Sequence, residues 1–257
     1  MHDKPFSVEQ IVSVTRWTPS LISFTTTRPL ELDYLPGQYA RIALPADGHL
    51  IWRAFSFVSA PRERLLEFVA VLVPGGMFTS QLQDLQAGDA IHIEHENYGF
   101  MTADRFADGD DLWMLATGTG IGPFMSMLRD AAVVRRFRRI VLVHGARHDA
   151  DLLYREELKQ MQGRSDASGA ELVLLHCVSQ PAAATEDEQR IAARITAAWD
   201  TGVLEAKAGL AVTEQSSRVM LCGNPQMIED MRARLHVRGL KPCRRVAAGQ
   251  FLTENYW

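Results

Sequence analysis

The chain has 257 residues, of which 47% are hydrophobic and 23% are charged, and its formal net charge is −4. This length and ordinary composition predict one large domain or two domains of about 100–150 residues, and the weakly negative balance argues against a nucleic-acid-binding protein. The longest apolar run, residues 65–73, contains Glu67 and is far shorter than the roughly 20 residues that span a bilayer, so we expect no membrane segment.

The N-terminus and the cysteines both favour a cytoplasmic protein. The first ten residues, MHDKPFSVEQ, lack the apolar core of a secretory signal. The three cysteines, Cys177, Cys222 and Cys243, are widely spaced and form no CxxC pair, which fits reduced thiols. An iron–sulfur cluster normally takes four cysteine ligands, so the chain cannot supply one, and we predict no metal site.

The first hundred residues have the pattern of short strands separated by turns. β-Branched and aromatic runs are bounded by Pro, Gly and Asp, and one stretch at 78–89 is predicted as a helix that ends at Gly88. Strands at this spacing are typical of a small antiparallel barrel or sandwich. The strands are predicted within residues 20–30, 37–45, 50–61, 64–76 and 90–96.

One of these strands, IWRAFSFVSAP at 51–61, has an unusual composition. Alternation places Arg53 and Phe55 on one face and Ala54 and Ser56 on the other. An Arg beside an aromatic ring is unsuited to a plain core, because an unpaired buried cation costs free energy. Two interpretations are open: an edge strand whose Arg reaches solvent, or a strand that binds a ligand.

After about residue 104 the pattern changes to alternating apolar strands and helices. This alternation predicts βαβ units around a parallel sheet, with a mobile loop at 181–189 and a domain boundary near 100–110. His144 and His176 fall in apolar strands and are predicted as core residues. Segment 111–137 is predicted as strand, turn and helix, strands are predicted at 139–148, 171–179 and 217–225, and helices at 150–161, 193–204 and 226–239.

Two glycine-containing turns end strands of this second half. ATGTGIGPF at 116–124 follows a strand and opens a helix, where backbone N–H groups and the helix dipole favour phosphate. Its glycines fall at alternate positions and so differ from the GxGxxG fingerprint of dinucleotide-binding turns. The alternative interpretation is a tight strand-to-helix turn that binds no ligand. MLCGNPQM places Cys222 at the end of another strand, and ligands of open α/β sheets bind at that edge.

Five motifs occur in one order along the chain: RAFS at 53–56, ATGTGIGP at 116–123, VLVHGAR at 141–147, VMLCGNPQM at 219–227 and ENYW at 254–257. Together they resemble the ferredoxin–NADP reductases, specifically the bacterial type that also serves flavodoxin, over nearly the whole chain. The resemblance implies hydride transfer from NADPH to flavin N5 of FAD and single-electron transfer to ferredoxin or flavodoxin. It also implies an FAD-binding β-barrel domain at 1–103 and an NADP-binding α/β domain at 104–257, whose tail returns to the flavin.

The resemblance assigns FAD to specific segments. In this family the RxYS motif lines the flavin, which implies that Arg53 lies near the pyrophosphate, Phe55 against the isoalloxazine ring and Ser56 within hydrogen-bond reach of N5. Phe55 replaces the family's Tyr, which keeps the stacking surface without the hydroxyl. Amides in GGMFTSQL would meet the pyrophosphate at a helix start. The FAD-binding residues implied are Arg53, Ala54, Phe55, Ser56, Val69, Ala70, Val71, Leu72, Met77, Phe78, Thr79, Thr119, Tyr256 and Trp257.

The C-terminal tail would close the site. By resemblance Tyr256 covers the flavin and moves aside for nicotinamide, so the tail would act as a gate, and Trp257 stacks on adenine. Glu254 would be the buried carboxylate near the nicotinamide pocket. The catalytic residues implied are Ser56, Cys222, Glu254 and Tyr256.

The choice between NADPH and NADH depends on basic residues, because an Arg fork is the best partner of a 2′-phosphate. Arg147 and Arg194 match family positions for this role, whereas Gln180 stands where relatives often carry a second Arg. We expect NADPH as the preferred cofactor. The NADP-binding residues implied are Gly118, Gly120, Gly122, Arg147, Ser179, Gln180, Arg194, Asn224, Pro225, Gln226 and Asp230.

Partners and competing functions remain open at this point. The stretches 232–245 and 135–139 contain six and four Lys or Arg residues and no acid, which fits either a docking surface for an acidic ferredoxin or flavodoxin or solvated helix surface. The reductase component of an oxygenase is a second hypothesis, although the cysteine count excludes a fused ferredoxin module. A flavin-binding subunit that does not use NADPH is a third, and the GTGIGP and CGNP motifs argue against it. Family likeness favours a monomer.

Overall fold

The computed structural model describes residues 5–46, 48–163, 169–182, 187–245 and 247–255. The chain divides into two compact units, the first comprising Met1–Thr102 with Gly122–Asp130 and the second Ala103–Ile121 with Ala131–Trp257. Each unit contains its own six-stranded sheet.

The strands are β1 (Phe6–Thr18), β2 (Leu21–Thr26), β3 (Tyr39–Ala46), β4 (His49–Ser56), β5 (Leu66–Val71), β6 (Ala90–Tyr98), β7 (Asp111–Thr117), β8 (Arg139–Ala146), β9 (Glu171–Val178), β10 (Arg190–Ile191), β11 (Ser217–Gly223) and β12 (Phe251–Asn255). The α-helices are α1 (Met77–Asp84), α2 (Gly122–Leu128), α3 (Ala131–Val134), α4 (Arg155–Gly163), α5 (Ile195–Asp200), α6 (Val203–Ala208) and α7 (Pro225–Val237). Short 3-10 helices are formed by Ala103–Arg105, Gly118–Ile121 and Asp149–Asp151.

The sheet of the first unit is antiparallel, with strand order β4-β3-β6-β1-β2-β5. Just beyond β4, the N–H of Val58 donates to the carbonyl of Glu67 in β5 over 2.9 Å, so the two edges of the sheet approach each other and the sheet curls. Apolar side chains such as Ile42 and Phe68 are fully buried in its core, and each contributes about 1.5–3 kcal/mol on burial. This architecture confirms the predicted N-terminal antiparallel β domain.

The long first strand, β1, is absent from the sequence-based prediction. It pairs with β6 through Phe6–Gln10 and with β2 further along. Of its residues only Glu9 and Ile11 are buried, whereas Val8 and Val12 are exposed. Backbone hydrogen bonds to two neighbours hold this strand in place, and it lacks the continuous apolar face from which a half-buried strand is predicted.

The sheet of the second unit is parallel, with strand order β10-β9-β8-β7-β11-β12. The chain moves outward from β7 to β10 in one direction and then crosses to β11 on the other side of β7, which makes the β7–β11 boundary a topological switch point. Trp113, Val141 and Leu221 are fully buried between this sheet and its helices. The predicted parallel α/β domain is confirmed.

The helices are shorter than the sequence predicts. The helix expected at 193–204 is divided into α5 and α6 at Gly202, whose φ is 73°. The helix expected at 150–161 begins only at Arg155, because Tyr154 has a left-handed φ of 59°. The predicted loop at 181–189 includes residues 183–186, which lie outside the described residues. Among the helices of the described ranges, none is long and apolar enough to cross a membrane.

Candidate functional site

The RAFS segment at 53–56 ends the edge strand β4. Arg53 and Ala54 are exposed, Phe55 is half-buried and Ser56 is buried. The ring of Phe55 packs on that of Phe78, with 5.5 Å between centroids, and Arg53 donates to the preceding carbonyl over 2.8 Å, so its side chain lies along the strand surface. Both interpretations of the sequence are compatible with this geometry: β4 is an edge strand, and its exposed residues are available to a ligand.

The turn between β5 and α1 has the geometry of an anion-binding site. The first intrahelical hydrogen bond of α1 starts at the N–H of Ser80, 2.9 Å from the carbonyl four residues earlier. The N–H groups of Met77, Phe78 and Thr79 precede this bond and are directed out of the first turn, where the helix dipole favours a phosphate. The Thr79 hydroxyl donates to the Val73 carbonyl over 2.7 Å and fixes the turn.

The predicted residues of β5 and its end are mostly buried. Val69, Ala70 and Leu72 are buried in the core of the first unit, and Val71 is half-buried. Because β5 is an edge strand, the sheet pairs it with β2 on one side only. Contact of these residues with a ligand stays a prediction.

Sequence reasoning missed a polar network that supports the segment after β4. The carbonyl of Ser59 accepts hydrogen bonds from the hydroxyls of Ser126, over 2.7 Å, and Tyr34, over 3.0 Å. Burial raises the pKa of Tyr34 to about 12, so its hydroxyl stays protonated. An Arg129–Glu67 ion pair of 2.6 Å adds a connection to β5. Since these residues are far apart in the sequence, no local pattern indicates the network.

The glycine-rich turn follows β7 at the carboxyl edge of the second sheet. Gly118 has a φ of 54°, and a Cβ at this position would meet no atom within 4 Å, so the backbone conformation requires a glycine beside open space. A Cβ on Gly120 would lie 2.5 Å from the carbonyl oxygen of Cys222. Gly120 therefore lets the turn pack directly on the end of β11.

Two further residues of this motif are buried. Thr119 is 4% exposed within the turn. Gly122 is buried at the first position of α2, a helix that clusters with the first unit. The contribution of each to cofactor binding stays a prediction.

His144 fixes the first residue of the turn. Its buried ring in β8 places Nε2 3.0 Å from the carbonyl oxygen of Gly118, and because a carbonyl only accepts, Nε2 carries the proton. The buried Nδ1 has no hydrogen-bond partner among the described residues. Burial lowers the pKa of His144 to about 4, although the Gly118 bond opposes this effect. The ring is therefore neutral at pH 7 and positions the turn, as expected of a core histidine.

We expect the stability of the second unit to fall as the pH drops from about 6.5 to about 4. In this range the unfolded chain takes up a proton at an ordinary pKa of 6.5, whereas the folded ring, with a pKa of about 4, does not, so acid favours unfolding. The full contribution is on the order of 3 kcal/mol. His144→Gln should flatten the pH dependence of the urea midpoint, followed by fluorescence of the buried Trp113 and Trp199.

His176 contributes to the same pH dependence. Burial lowers its pKa despite the opposing charge of Asp187, 3.4 Å from its Nδ1. The slope of the urea midpoint against pH should therefore become smaller in His144→Gln but should not disappear. Equal slopes in the wild type and the variant would contradict the assignment to His144.

Cys222 and Glu254 lie side by side at the ends of β11 and β12. They are register partners on parallel strands, and Ala116 of β7 pairs with Cys222 on the other side. Burial, reinforced by the charge of Glu254, raises the pKa of the Cys222 thiol well above its ordinary value. The thiol is thus neutral and cannot act as a thiolate nucleophile. The structure brings the two residues together; their catalytic roles stay predictions.

Asn224 connects the ends of β7 and β11. Its backbone N–H donates to the hydroxyl of Thr117 over 2.7 Å, and its side-chain oxygen accepts from the N–H of Gln226 over 2.9 Å and caps α7. Pro225 occupies the first helical position, where its missing N–H has no cost. Gln226 donates to the Asp230 carboxylate over 3.0 Å. These predicted residues therefore also organise the start of α7.

The predicted 2′-phosphate residues follow the carboxyl ends of β8, β9 and β10. The N–H of Gln180 donates to the carbonyl of Arg147 over 2.8 Å, so the turns after β8 and β9 are hydrogen-bonded to each other. Ser179 lies at the same turn, and Arg194 precedes α5 as its N-cap residue. All four side chains are exposed at one edge of the sheet.

The C-terminal tail forms an unpredicted strand. β12 pairs with β11 in parallel register up to Asn255. Tyr256 and Trp257, which the family resemblance assigns to the flavin and adenine, lie outside the described residues. Their roles stay predictions.

The two basic stretches are partly neutralised within the second unit. Arg234 forms an ion pair of 2.6 Å with Asp200, Arg238 one of 2.7 Å with Glu205, and Arg139 pairs with Asp111. The charge available to a partner is therefore smaller than the sequence suggests. Within the ranges that the structure describes, no group of His, Cys, Asp and Glu side chains could hold a metal ion.

Comparison with known proteins assigns a family to each half of the chain. Residues 6–97 match the oxidoreductase FAD-binding domain family, and residues 114–233 match the oxidoreductase NAD-binding domain family.

Several relatives match nearly the whole chain. The flavodoxin/ferredoxin–NADP reductase of Escherichia coli K12 is 38% identical over 221 residues, which cover 86% of each protein. The ferredoxin–NADP reductase of Azotobacter vinelandii is 34% identical over 97% of this chain and 96% of its own length. A crystal structure of a ferredoxin–NADP reductase from Neisseria gonorrhoeae with bound FAD and NADP superposes with a TM-score of 0.91 at 31% identity, covering 98% of this chain and 99% of that one.

Proposed function

Because the chain belongs to the family of bacterial ferredoxin/flavodoxin–NADP reductases, we propose that it transfers electrons between NADPH and ferredoxin or flavodoxin with FAD as its prosthetic group. When bound, FAD exchanges a hydride with the nicotinamide and single electrons with the protein carrier. One observation carries the proposal beyond family membership: the open glycine turn, the Cys222–Glu254 pair and the exposed Arg147 all lie at one edge of the second sheet.

In the first unit we assign FAD to two segments. The outward-directed N–H groups at the start of α1 would hold the pyrophosphate, with Arg53 as its cationic partner. Phe55, whose ring is half-buried against Phe78, would offer its remaining surface to the isoalloxazine ring. The buried Ser56 would direct its hydroxyl toward N5. The rigid packing of Phe55 favours this role, because an aromatic ring held by its neighbours loses little entropy when it stacks.

In the second unit we assign NADPH to the carboxyl edge of the sheet. The turn at Gly118–Gly120 would approach the phosphates, and Arg147 and Arg194 would meet the 2′-phosphate. Cys222 and Glu254 would shape the nicotinamide pocket. Since hydride transfer needs no general base, a neutral thiol at this position fits the reaction: it excludes water and orients the ring without adding a charge.

The proposal includes how the protein partner would dock and where the protein would work. A ferredoxin or flavodoxin would dock transiently, attracted by the basic residues of 135–139 and 232–245 that are not consumed by internal ion pairs. We propose a monomer that works in the cytoplasm. The three free cysteines, two of them buried, are compatible with a reducing compartment.

The test combines flavin spectroscopy with a choice of nicotinamide. The purified protein should be yellow or take up FAD, and anaerobic NADPH should bleach the flavin. In diaphorase turnover with an artificial electron acceptor, kcat/KM for NADPH should be about tenfold or more above that for NADH. Charge-assisted hydrogen bonds of about 1.5–3 kcal/mol to the 2′-phosphate set this magnitude. The bleached protein should then reduce a ferredoxin or flavodoxin.

Two outcomes would contradict the proposal. A colourless protein that takes up no FAD would show that the chain does not use a flavin. A flavin that binds but is not reduced by NADPH would indicate a binding module that does not use the nicotinamide.

A further inference from the structure

The connection after β9 is held in place on both sides of Gln180. Its N–H donates to the carbonyl of Arg147 over 2.8 Å. Its carbonyl lies 3.1 Å from Nδ1 of His148, which must carry the proton because a carbonyl only accepts. The backbone of Gln180 is therefore fixed against the turn that carries Arg147.

Two residues further along each turn, a carboxylate makes a second connection. Asp149, the first residue of a 3-10 helix, accepts a hydrogen bond from the N–H of Ala182 over 3.1 Å. Its two oxygens also lie 3.0 and 3.1 Å from one guanidinium nitrogen of Arg190. We call Asp149, Ala182 and Arg190 the Asp149 clamp.

The clamp is partly sheltered from solvent. The side chain of Arg190 is 11% exposed and that of Asp149 is 26% exposed. Partial desolvation raises the pKa of Asp149, but the hydrogen bonds from Arg190 and Ala182 outweigh it, and the pKa lies below its ordinary value. The carboxylate is therefore charged at pH 7, and a sheltered pair of this kind is worth more than an exposed one.

The clamp joins the connections after β8 and β9, which carry Arg147 and Gln180, to β10, which precedes Arg194. Asp149 follows Arg147 by two residues, and Arg190 precedes Arg194 by four. Because Gln180 offers only an uncharged amide, its contribution to binding a phosphate depends on being held at the correct distance rather than on long-range attraction. A fixed loop avoids the entropy cost of ordering it when the cofactor binds.

We propose that Asp149 and Arg190 are positioning residues for nicotinamide selectivity, because they hold the Gln180 turn where it can meet the 2′-phosphate. This inference rests on the proposed function. Neither residue is among those that the sequence assigns to a cofactor. The clamp acts through the backbone and through charge neutralisation, without contact with the phosphate.

The experiment compares Asp149→Ala with wild type in the FAD-loaded protein. The ratio of kcat/KM for NADPH to that for NADH should fall about fivefold, equivalent to about 1 kcal/mol, and through the NADPH value alone. Titration calorimetry should show weaker binding of 2′-phospho-AMP and unchanged binding of AMP. Asp149→Asn keeps an oxygen for Ala182 but loses the ion pair, so its loss should be smaller. Arg190→Gln should reproduce the loss from the other side of the clamp.

Glu205→Ala is the matched control. Glu205 also joins an Arg to a backbone amide, with 2.7 Å to Arg238 and 2.6 Å to the N–H of Val212, but it lies before β11 at the opposite edge of the sheet. Its selectivity should equal that of wild type even if its stability falls by a similar amount.

Several results would overturn the inference. The first is unchanged selectivity in both Asp149→Ala and Arg190→Gln. The second is an equal loss of kcat/KM with NADPH and with NADH. The third is a gain in NADPH affinity in Asp149→Asn, which would mean that the carboxylate charge repels the phosphate. A wild type that reduces its flavin with NADPH but shows no preference over NADH would overturn the clamp and leave the electron-transfer function intact. A wild type that is not reduced at all would overturn both.

Discussion

Gly120→Ala is expected to lower the rate of flavin reduction by NADPH at least about 100-fold. The added methyl group would lie 2.5 Å from the carbonyl oxygen of Cys222 and 2.8 Å from the Cα of Gly223. Both are backbone atoms, so the end of β11 must move. A displacement of about 1 Å at a reacting centre costs on the order of 100-fold in rate. Stopped-flow absorbance of the flavin measures the rate, and FAD content reports whether the first unit is unaffected.

Gly118→Ala is the control for this prediction. It lies in the same turn with a left-handed φ of 54°, but its methyl group would meet no atom within 4 Å. Its cost to the fold is the conformational penalty of about 1–2 kcal/mol. Because this turn is proposed to approach the phosphates, any functional loss should appear as a higher KM for NADPH rather than as slower flavin reduction at saturating NADPH. If both variants lose activity equally, the turn requires flexibility at each glycine and the close approach to β11 is not the cause.

Cys222→Ala is expected to lower the hydride-transfer rate about tenfold or more while FAD content stays unchanged. The thiol is fully buried at the end of β11, next to Glu254 in register. Its removal leaves an internal cavity beneath the surface on which the nicotinamide is proposed to lie, so the end of β11 would support the ring less closely. Rapid mixing with NADPH measures the rate. Since burial keeps the pKa of this thiol high, no step in the wild-type rate between pH 6 and 9 should come from its ionisation.

Cys177→Ala is the matched control for a buried thiol. Cys177 is the penultimate residue of β9 in the same sheet, and burial raises its pKa to about 12. Its loss should reduce stability to a similar extent and leave the hydride-transfer rate unchanged. A rate in Cys222→Ala that equals wild type would show that Cys222 is only a packing residue.

The sequence predicts most of the fold because local patterns carry it. The alternation of apolar strands and helices after residue 104 gives the parallel sheet, and the turn residues of the first half give the antiparallel one. The pattern fails where partners far along the chain decide the structure. β1 is held by β6 and β2, and β12 is stabilised by pairing with β11, so neither shows a strong signal of its own.

Part of the candidate site could likewise be predicted from local sequence patterns, and part of it could not. Motifs around Gly118, Arg147 and Cys222 identify the carboxyl edge of the second sheet, because each is a short run with its own chemistry. The residues that hold those motifs in place could not be predicted. His144 bonds the Gly118 carbonyl, and Asp149 bonds the N–H of Ala182 and the guanidinium of Arg190, all of them distant in the sequence. No local sequence pattern indicates contacts of this kind.

The strand order of the second sheet has a consequence for how the molecule is assembled. β7 and β8 are close in the sequence, whereas Cys222 of β11 meets Ala116 of β7 only after a long intervening segment has been ordered. Closing so long a loop carries a large entropy cost, which makes such a pairing slow to form. The β7–β11 junction is therefore expected to form after the local pairing of β7 with β8, so core residues of β11 such as Leu221 become buried only once this long-range pairing is made.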